Sequence, residues 1–432
     1  MKKKFCAILC AISLLLCLSL SACSVGTPAS VTNAKINENG ELILIYNDGT
    51  EQNLGIVTGK DGANGSLVIE SNGSSIPAAS AKGLRSSVSI VCNFQATVQQ
   101  GGWRPGSEST TTKDYSAAGS GVIFQLDKEK GDAFIITNYH VVYDASSNTE
   151  NGISGDINVY LYGAISEESA IKASYVGGSL YYDIAVLSIS GSELLKTSDI
   201  CQVDISDSAK VAVGDSAIAI GNAKGSGISV SFGIVSVDSE YITMTAADGR
   251  TSVSFRVMRV DTAVNSGNSG GGLFDGNGNL IGIVNAKIVD ESVENIGYAI
   301  PANVAVAVAD NIIDYCYETD EESVQRALLG VTVNTTASKA VYAPETGLVS
   351  IHETVSVYEV NEGSLAEGIL QEGDVLLRAR LGDRTLEITR QYHIIDLMLD
   401  TRVGDVLELD ILRGGETQTV KITITEDCLT AY

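Results

Sequence analysis

Between residue 84 and about residue 300 the chain is a succession of short apolar runs cut by Gly, Asn and Asp, with almost no helical periodicity. Val88 to Cys92, Gly121 to Leu126, Ala133 to Thr137, Ile157 to Tyr162, Ile184 to Ile189, Val211 to Ile220, Ile228 to Val237 and Thr251 to Arg259 each have the length of a strand. Regular short strands of this kind predict an all-β barrel or sandwich, and a span this large suits two barrels packed together. Gly101 to Lys113 and Asp127 to Asp132 read as solvated loops. The apolar spacing of residues 303–317 predicts a helix, and acidic Glu318 to Glu322 reads as a linker. A second β-rich domain is expected from about residue 325, with a helix-like segment over Thr389 to Asp400.

One loop inside the first β region carries chemistry. Asn265-Ser266-Gly267-Asn268-Ser269-Gly270-Gly271-Gly272-Leu273 sets a serine among residues with little side chain. Such composition is that of a turn, but it also frees the amides of Gly267 and Ser269 to point at one developing oxyanion. A serine nucleophile needs a base and a group that orients the base. The chain has three histidines, and His140 is the one in the domain that holds Ser269. It follows the run Ile135-Ile136-Thr137-Asn138-Tyr139, where a loop residue reaches into a cleft. Asp183 opens the apolar run Ile184-Ala185-Val186-Leu187. The order His140, Asp183, Ser269 places base and acid in the first half of the β region and nucleophile in the second, so two barrels meeting would unite them.

The N-terminus fixes the compartment. Met1-Lys2-Lys3-Lys4 before the apolar run Phe5 to Leu20 has the form of a secretory signal, too short for a spanning helix. Cys6, Cys10 and Cys17 lie inside it, leaving Cys92, Cys201, Cys316 and Cys428 too widely spaced for a disulfide framework or a zinc site. Four cysteines allow three pairings and the compartment permits disulfides, but buried free thiols are the expected state. The spacer from 23 to 80 holds two short runs flanking Asn47-Asp48-Gly49, a hairpin signal, and Gly59 to Gly65 with glycine at every third residue, too short a repeat for a collagen-like segment. A net charge of −25 makes a nucleic-acid partner improbable.

Leu20-Ser21-Ala22-Cys23 resembles the bacterial lipobox. That resemblance implies cleavage after residue 22, lipid on Cys23 and anchorage to the outer face of a membrane in a bacterial envelope. The region from 84 to 428 resembles the HtrA (DegP/DegQ-like) serine proteases, which have a trypsin-like double β-barrel followed by a PDZ domain. The motifs are Gly119 to Phe124 with Ile136 to Val142, Tyr182 to Leu187, Ala219 to Asn222 with Ser231 to Ser236, Asp261 to Gly271, and Ile296 to Pro301. The resemblance implies a mostly β fold of two six-stranded antiparallel barrels over 84–310 and a PDZ domain over 325–428. It implies ATP-independent cleavage of misfolded or mislocalised envelope proteins by His140, Asp183 and Ser269, with the amides of Gly267 and Ser269 as oxyanion hole. No metal or organic cofactor is called for, and trimers or larger assemblies are implied.

In trypsin-like enzymes the residue six before the nucleophile lies at the base of the P1 pocket. Here that is Ala263, and Ile283, Val284 and Ala286 are expected to complete an apolar pocket for small or medium aliphatic residues. Leu329, Gly330 and Val331 resemble the PDZ loop that captures a C-terminal carboxylate. Ser266 and Gly272 stand where the family usually has proline, which loosens the nucleophile loop and makes activity more dependent on an activating peptide. The reading from another class is a non-catalytic holdase or PDZ scaffold on the same fold.

Overall fold

The computed structural model describes residues 31–37, 41–56, 75–100, 109–149, 151–164, 166–286, 296–319 and 324–432. The expected signal peptide (1–22), Cys23, the Gly59 to Gly65 stretch and most of the Glu318 to Glu322 linker lie outside these residues. The chain divides into two units, Met1–Ile69 and Glu70–Tyr432.

In the first unit β1 (Val31–Ile36), β2 (Glu41–Tyr46) and β3 (Glu51–Ile56) form an antiparallel meander. The turn between β2 and β3 closes at Gly49, whose φ of 83° suits glycine, and the Asp48 carboxylate accepts the Thr50 amide at 2.9 Å. The expected hairpin is therefore present with a third strand before it, which the mixed polar run Val31-Thr32-Asn33-Ala34-Lys35-Ile36 does not advertise.

In the second unit α1 (Ile76–Ser86) leads into two closed barrels with the same strand order. The first comprises β4 (Ser87–Gln100), β5 (Ser109–Asp127), β6 (Asp132–Thr137), β7 (Asp156–Leu161), β8 (Ile171–Ser179) and β9 (Ile184–Ile189), with the one-turn helix α2 (Tyr139–Val142) after β6. The short helix α3 (Glu193–Thr197) follows. The second barrel comprises β10 (Ser216–Gly221), β11 (Ser229–Thr245), β12 (Ser252–Val260), β13 (Gly272–Phe274), β14 (Leu280–Val284) and β15 (Gly297–Pro301). Strand alternation explains why runs such as Ile184 to Ile189 are apolar throughout. Ala185 and Leu187 fill the first barrel, whereas Ile184 and Val186 join Ile218, Phe255 and Phe274 in a second core outside it. The helix expected over 303–317 is α4 (Ala302–Ile312), continued by a wider turn from Ile313 to Glu318. Residues 109–113, expected to be loop, extend β5 as a ribbon against β4.

The C-terminal part is an antiparallel sheet of β17 (Val331–Ala343), β18 (Leu348–Val360), β19 (Val375–Leu381), β21 (Val406–Arg413) and β22 (Glu416–Thr423), taken after β16 (Gln325–Ala327). A short β20 (Arg384–Glu387) pairs with β19, α5 (Gln391–Leu397) packs on the sheet, and β23 (Leu429–Ala431) pairs with β16. It docks on the barrels through buried charge. Arg256 of β12, 3% exposed, pairs with Asp396 of α5 and lies 4.0 Å under the Tyr392 ring. Arg390 bonds Asp238 at 2.6 Å.

His393 of α5 is buried, and burial lowers its pKa to about 4 from 6.5. As pH falls below 6.5 the unfolded chain takes the proton first, so native stability is expected to fall between about pH 6.5 and 4, by on the order of 3 kcal/mol. Above that window the imidazole is neutral in both states and the effect is absent. Thermal melts of wild type and His393→Gln across pH 4–7 check this through their difference. A difference independent of pH would remove His393 from the account.

The cysteines at 92, 201, 316 and 428 are free, and burial pushes the Cys92 thiol up to about 12. No helix among the described residues is long and apolar enough to cross a membrane.

Candidate active site

The serine loop between β12 and β13 needs its glycines. Gly267 has φ 95°, and a Cβ there would meet the Asn222 carbonyl at 2.2 Å. Gly270 has φ 81°, and a Cβ would meet Ser120 O and Thr137 Oγ1 at 2.3 Å. The loop is fastened to the first barrel at Ser120. The Ser120 amide donates to Ser269 O at 2.8 Å, its hydroxyl donates to Gly267 O at 2.7 Å, and that hydroxyl accepts the Asn222 amide at 2.7 Å. Lys224 N donates to Ser266 O at 2.7 Å and Gly270 N to Val284 O at 3.0 Å. Gly272 begins β13 in ladder with Ile220 and Ile283, and a side chain there would strike the Phe274 ring. These bonds hold the loop at the two positions where proline was expected to be missed.

Within this loop the amides divide. Asn268, Gly270 and Gly271 donate to carbonyls, whereas Gly267 and Ser269 donate to nothing among the described residues. Two unengaged N–H groups flank the serine.

Asp183 sits in the turn before β9 with φ 54°, a left-handed conformation that costs a non-glycine residue on the order of 1 kcal/mol or more. Its surroundings hold it there. Asn138 Nδ2 and Tyr139 N donate to its carbonyl at 2.8 and 3.2 Å, and His140 N donates to Oδ1 at 2.9 Å. Oδ2 accepts from Asn285 Nδ2 at 2.8 Å and lies 2.6 Å from His140 Nδ1. Asp183 is 5% exposed and Asn285 fully buried. With Nδ1 turned to Asp183, Nε2 is the imidazole nitrogen left for chemistry.

Consecutive residues at the end of β14 tie the two halves together: Asn285 bonds Asp183, and the Ala286 amide donates to Ser269 Oγ at 3.2 Å. No hydrogen bond joins Ser269 Oγ to His140 among the described contacts. Catalytic hydrogen bonds are often long or unformed without substrate.

Most of both barrels, over residues 119–283, matches a model described as a trypsin-like peptidase domain. The chain is 31% identical over 344 residues to the serine protease Do-like HtrA of Bacillus subtilis (strain 168), covering 78% of this chain and 70% of that one. It is 30% identical over 367 residues to the protein of the same name from Lactococcus lactis subsp. lactis (strain IL1403), covering 80% and 81%. The chain belongs to the HtrA family of serine proteases. The periplasmic pH-dependent serine endoprotease DegQ of Escherichia coli (strain K12) is 30% identical over 316 residues, 72% of this chain and 60% of that one.

The expected P1 pocket of this HtrA-family protease divides. Ala263 is exposed and Ala286 half-buried, so both are accessible near the serine loop. Ile283 and Val284 are not: Ile283 is sealed in the core outside the second barrel and Val284 in the core within it. Neighbouring residues of a strand face opposite ways, so the two cannot line one pocket. In the C-terminal sheet, Leu329, Gly330 and Val331 border a groove of about 210 Å³ between β17 and α5, with Arg326, Val333, Ile394 and Met398. The amides of Leu329 and Gly330 donate to nothing among the described residues.

Motif reading missed Ser120, Asn138 and Asn285. Ser120 and Asn138 stand inside segments singled out for other residues, and Asn285 follows a strand as any turn asparagine would. No cluster of His, Cys, Asp and Glu able to hold a metal occurs among the described residues.

Proposed function

We propose that this HtrA-family chain is an ATP-independent endopeptidase held at the outer face of a bacterial membrane by lipid on Cys23, and that it cleaves misfolded or mislocalised envelope proteins. In this reading Ser269 is the nucleophile. Its Oγ turns from the Ala286 amide to His140 Nε2, gives up its proton and attacks the scissile carbonyl. Asp183 holds the tautomer and balances the imidazolium. Oxyanion charge falls on the amides of Gly267 and Ser269, His140 returns its proton to the leaving amine, and water repeats the sequence on the acyl-enzyme.

One observation carries the catalytic part: an Asp183-bound imidazole and a serine flanked by two unengaged amides are joined through adjacent residues, Asn285 and Ala286. Ala263 and Ala286 leave small, uncharged walls beside the serine, which supports a preference for small aliphatic P1 residues. The apolar groove beside Leu329 and Gly330, with two amides free to take a carboxylate, supports PDZ-type capture of C-terminal peptides.

Peptidyl phosphonates test the reading, because they label only an activated serine. A probe with valine at P1 is expected to label the full chain at least tenfold faster than one with arginine, and Ser269→Ala to abolish labelling. Absence of labelling with either probe, with and without a C-terminal peptide, would leave the scaffold reading in its place. Faster labelling by the arginine probe would overturn the pocket.

A further inference from the structure

The strand pair β17–β18 is longer than the sheet that holds it. β18 pairs with β19 only at Val355 and Ser356, whereas the β17–β18 ladder continues outward to Ala343 and Leu348. Beyond Glu353, whose amide donates to Thr389 O at 2.7 Å, it is a two-stranded ribbon, a form only marginally stable in water unless something covers its apolar face.

The register identifies that face. Val355 points into the C-terminal core with 0% exposure. Residues two apart share a face, so Glu353, Ile351 and Val349 lie on the same side, together with their cross-strand partners Ser338, Ala340 and Tyr342. Glu353 marks the side independently, since its carboxylate accepts the Gln391 amide at the start of α5 at 2.6 Å. Past the first turn of α5, then, the sheet face that α5 covers continues bare and apolar, with Tyr342 61%, Val349 56% and Ile351 38% exposed.

The edge runs on as well, bent by a bulge between Thr335 and Ala337 and capped at the Val333 carbonyl by Gln391 Nε2 at 2.9 Å, which a bound strand would displace. β17 ends the strand order, and no strand pairs with its outer side among the described residues. Its first residues, Val331 and Val333, line the groove beside α5. The same edge runs on to Ala343, past the N-terminus of α5.

We propose that β17's outer edge and the ribbon face of Ala340, Tyr342, Val349 and Ile351 form one track with the groove, and that its occupant is an extended segment of a non-native protein bearing apolar side chains at alternate positions. The proposal rests on the PDZ-type reading of the groove. A segment whose carboxylate meets the Leu329 and Gly330 amides adds antiparallel to β17, so its upstream residues travel toward Ala343. At about 3.3 Å per residue the reach from Val333 to Tyr342 is roughly 30 Å, which places ligand residues about ten from the terminus over the ribbon. Their alternate side chains face the same way as the groove residues. Strand addition pairs the open edge and sets the segment's side chains beside Ala340 and Tyr342, which shield Val349 and Ile351 one strand further in, as a segment bound in the groove alone does not.

Fluorescence anisotropy on the full chain carrying Ser269→Ala tests this with peptides that share their last four residues. A peptide of about twelve residues with valine at alternate upstream positions is expected to bind about tenfold tighter than the four-residue peptide and than its serine counterpart. Tyr342→Ser/Val349→Ser is expected to erase that gain and leave the four-residue affinity unchanged. Lys339→Ser/His352→Ser, on the opposite face, is expected to preserve the gain, and it controls for damage to the ribbon. A gain that survives the Tyr342/Val349 change, or no gain, overturns the track. So does a Tyr342/Val349 variant that changes only the sedimentation of the chain, which would assign the face to a second copy. If the short peptide fails to bind while the long one binds through Tyr342, the carboxylate reading fails and the track stands.

Discussion

Ser269→Ala and His140→Ala are each expected to lower kcat on a peptide substrate by about a millionfold, and the double variant to be no slower than the slower single one. The reason is that nucleophile and base act in one step. A serine hydroxyl attacks poorly until its proton has somewhere to go, and an imidazole without the hydroxyl has nothing to deprotonate except water. Removing either group makes the other useless. What survives is substrate binding and the two amides, because alanine at 269 keeps its N–H and leaves Gly267 in place. That remainder is worth about a thousandfold to ten-thousandfold over water. Ser269→Ala should cost little stability, since the hydroxyl's sole partner among the described residues is the half-buried Ala286 amide at 3.2 Å. Steady-state kinetics on the three variants decide the matter. A double variant a further hundredfold slower than both singles, or a single variant retaining more than about a hundredth of the wild-type rate, would mean that hydrolysis runs through other groups.

The parts legible in the sequence were those whose chemistry is carried by side-chain type. His140, Asp183 and Ser269 could be singled out because few residue types can take such roles, and the fold brings His140 against Asp183 and links Asp183 and Ser269 through Asn285 and Ala286. The barrels themselves were legible because closed antiparallel sheets require many short strands. Ser120, Asn138 and Asn285 were not, because serine and asparagine are ordinary turn residues and their roles arise only across the fold. Ser120 reaches Gly267 from 147 positions away. Ile283 and Val284 show a different failure. Both are apolar and close to the serine in sequence, yet strand alternation sends them into separate cores. Thr110, Thr111 and Thr112 looked like loop because they are polar, but β-branched residues fit an exposed pleated ribbon and each pairs across to β4. The docking charges, Arg256 with Asp396 and Arg390 with Asp238, join residues more than a hundred positions apart, and no local pattern announces them.

Asp183→Asn is expected to lower kcat by about ten-thousandfold near neutral pH while leaving the fold intact. Three donors converge on this carboxylate: His140 N on Oδ1, and both Asn285 Nδ2 and His140 Nδ1 on Oδ2. An ionised carboxylate can accept all three, whereas an amide has one accepting oxygen and one donating NH2. If the oxygen stays with the His140 amide, the NH2 faces the imidazole and compels Nδ1 to accept. The proton then sits on Nε2, the nitrogen that must receive the serine proton, and base catalysis is lost. If the amide turns the other way, its NH2 opposes the His140 N–H and the turn that holds Asp183 at φ 54° is strained. Asn285→Ala provides the graded comparison. It removes one of the three donors and leaves the tautomer set by the remaining carboxylate, so its loss is expected to be about tenfold, falling on kcat more than on KM, because Asn285 positions Asp183 without touching substrate. Each variant should be followed by its pH–rate profile and by thermal melting. A tautomer fault slows the reaction without lowering the melting temperature in proportion, whereas a packing fault lowers both together. Retention of near wild-type kcat by Asp183→Asn would separate Asp183 from the chemistry and reduce its contact with His140 to a structural one.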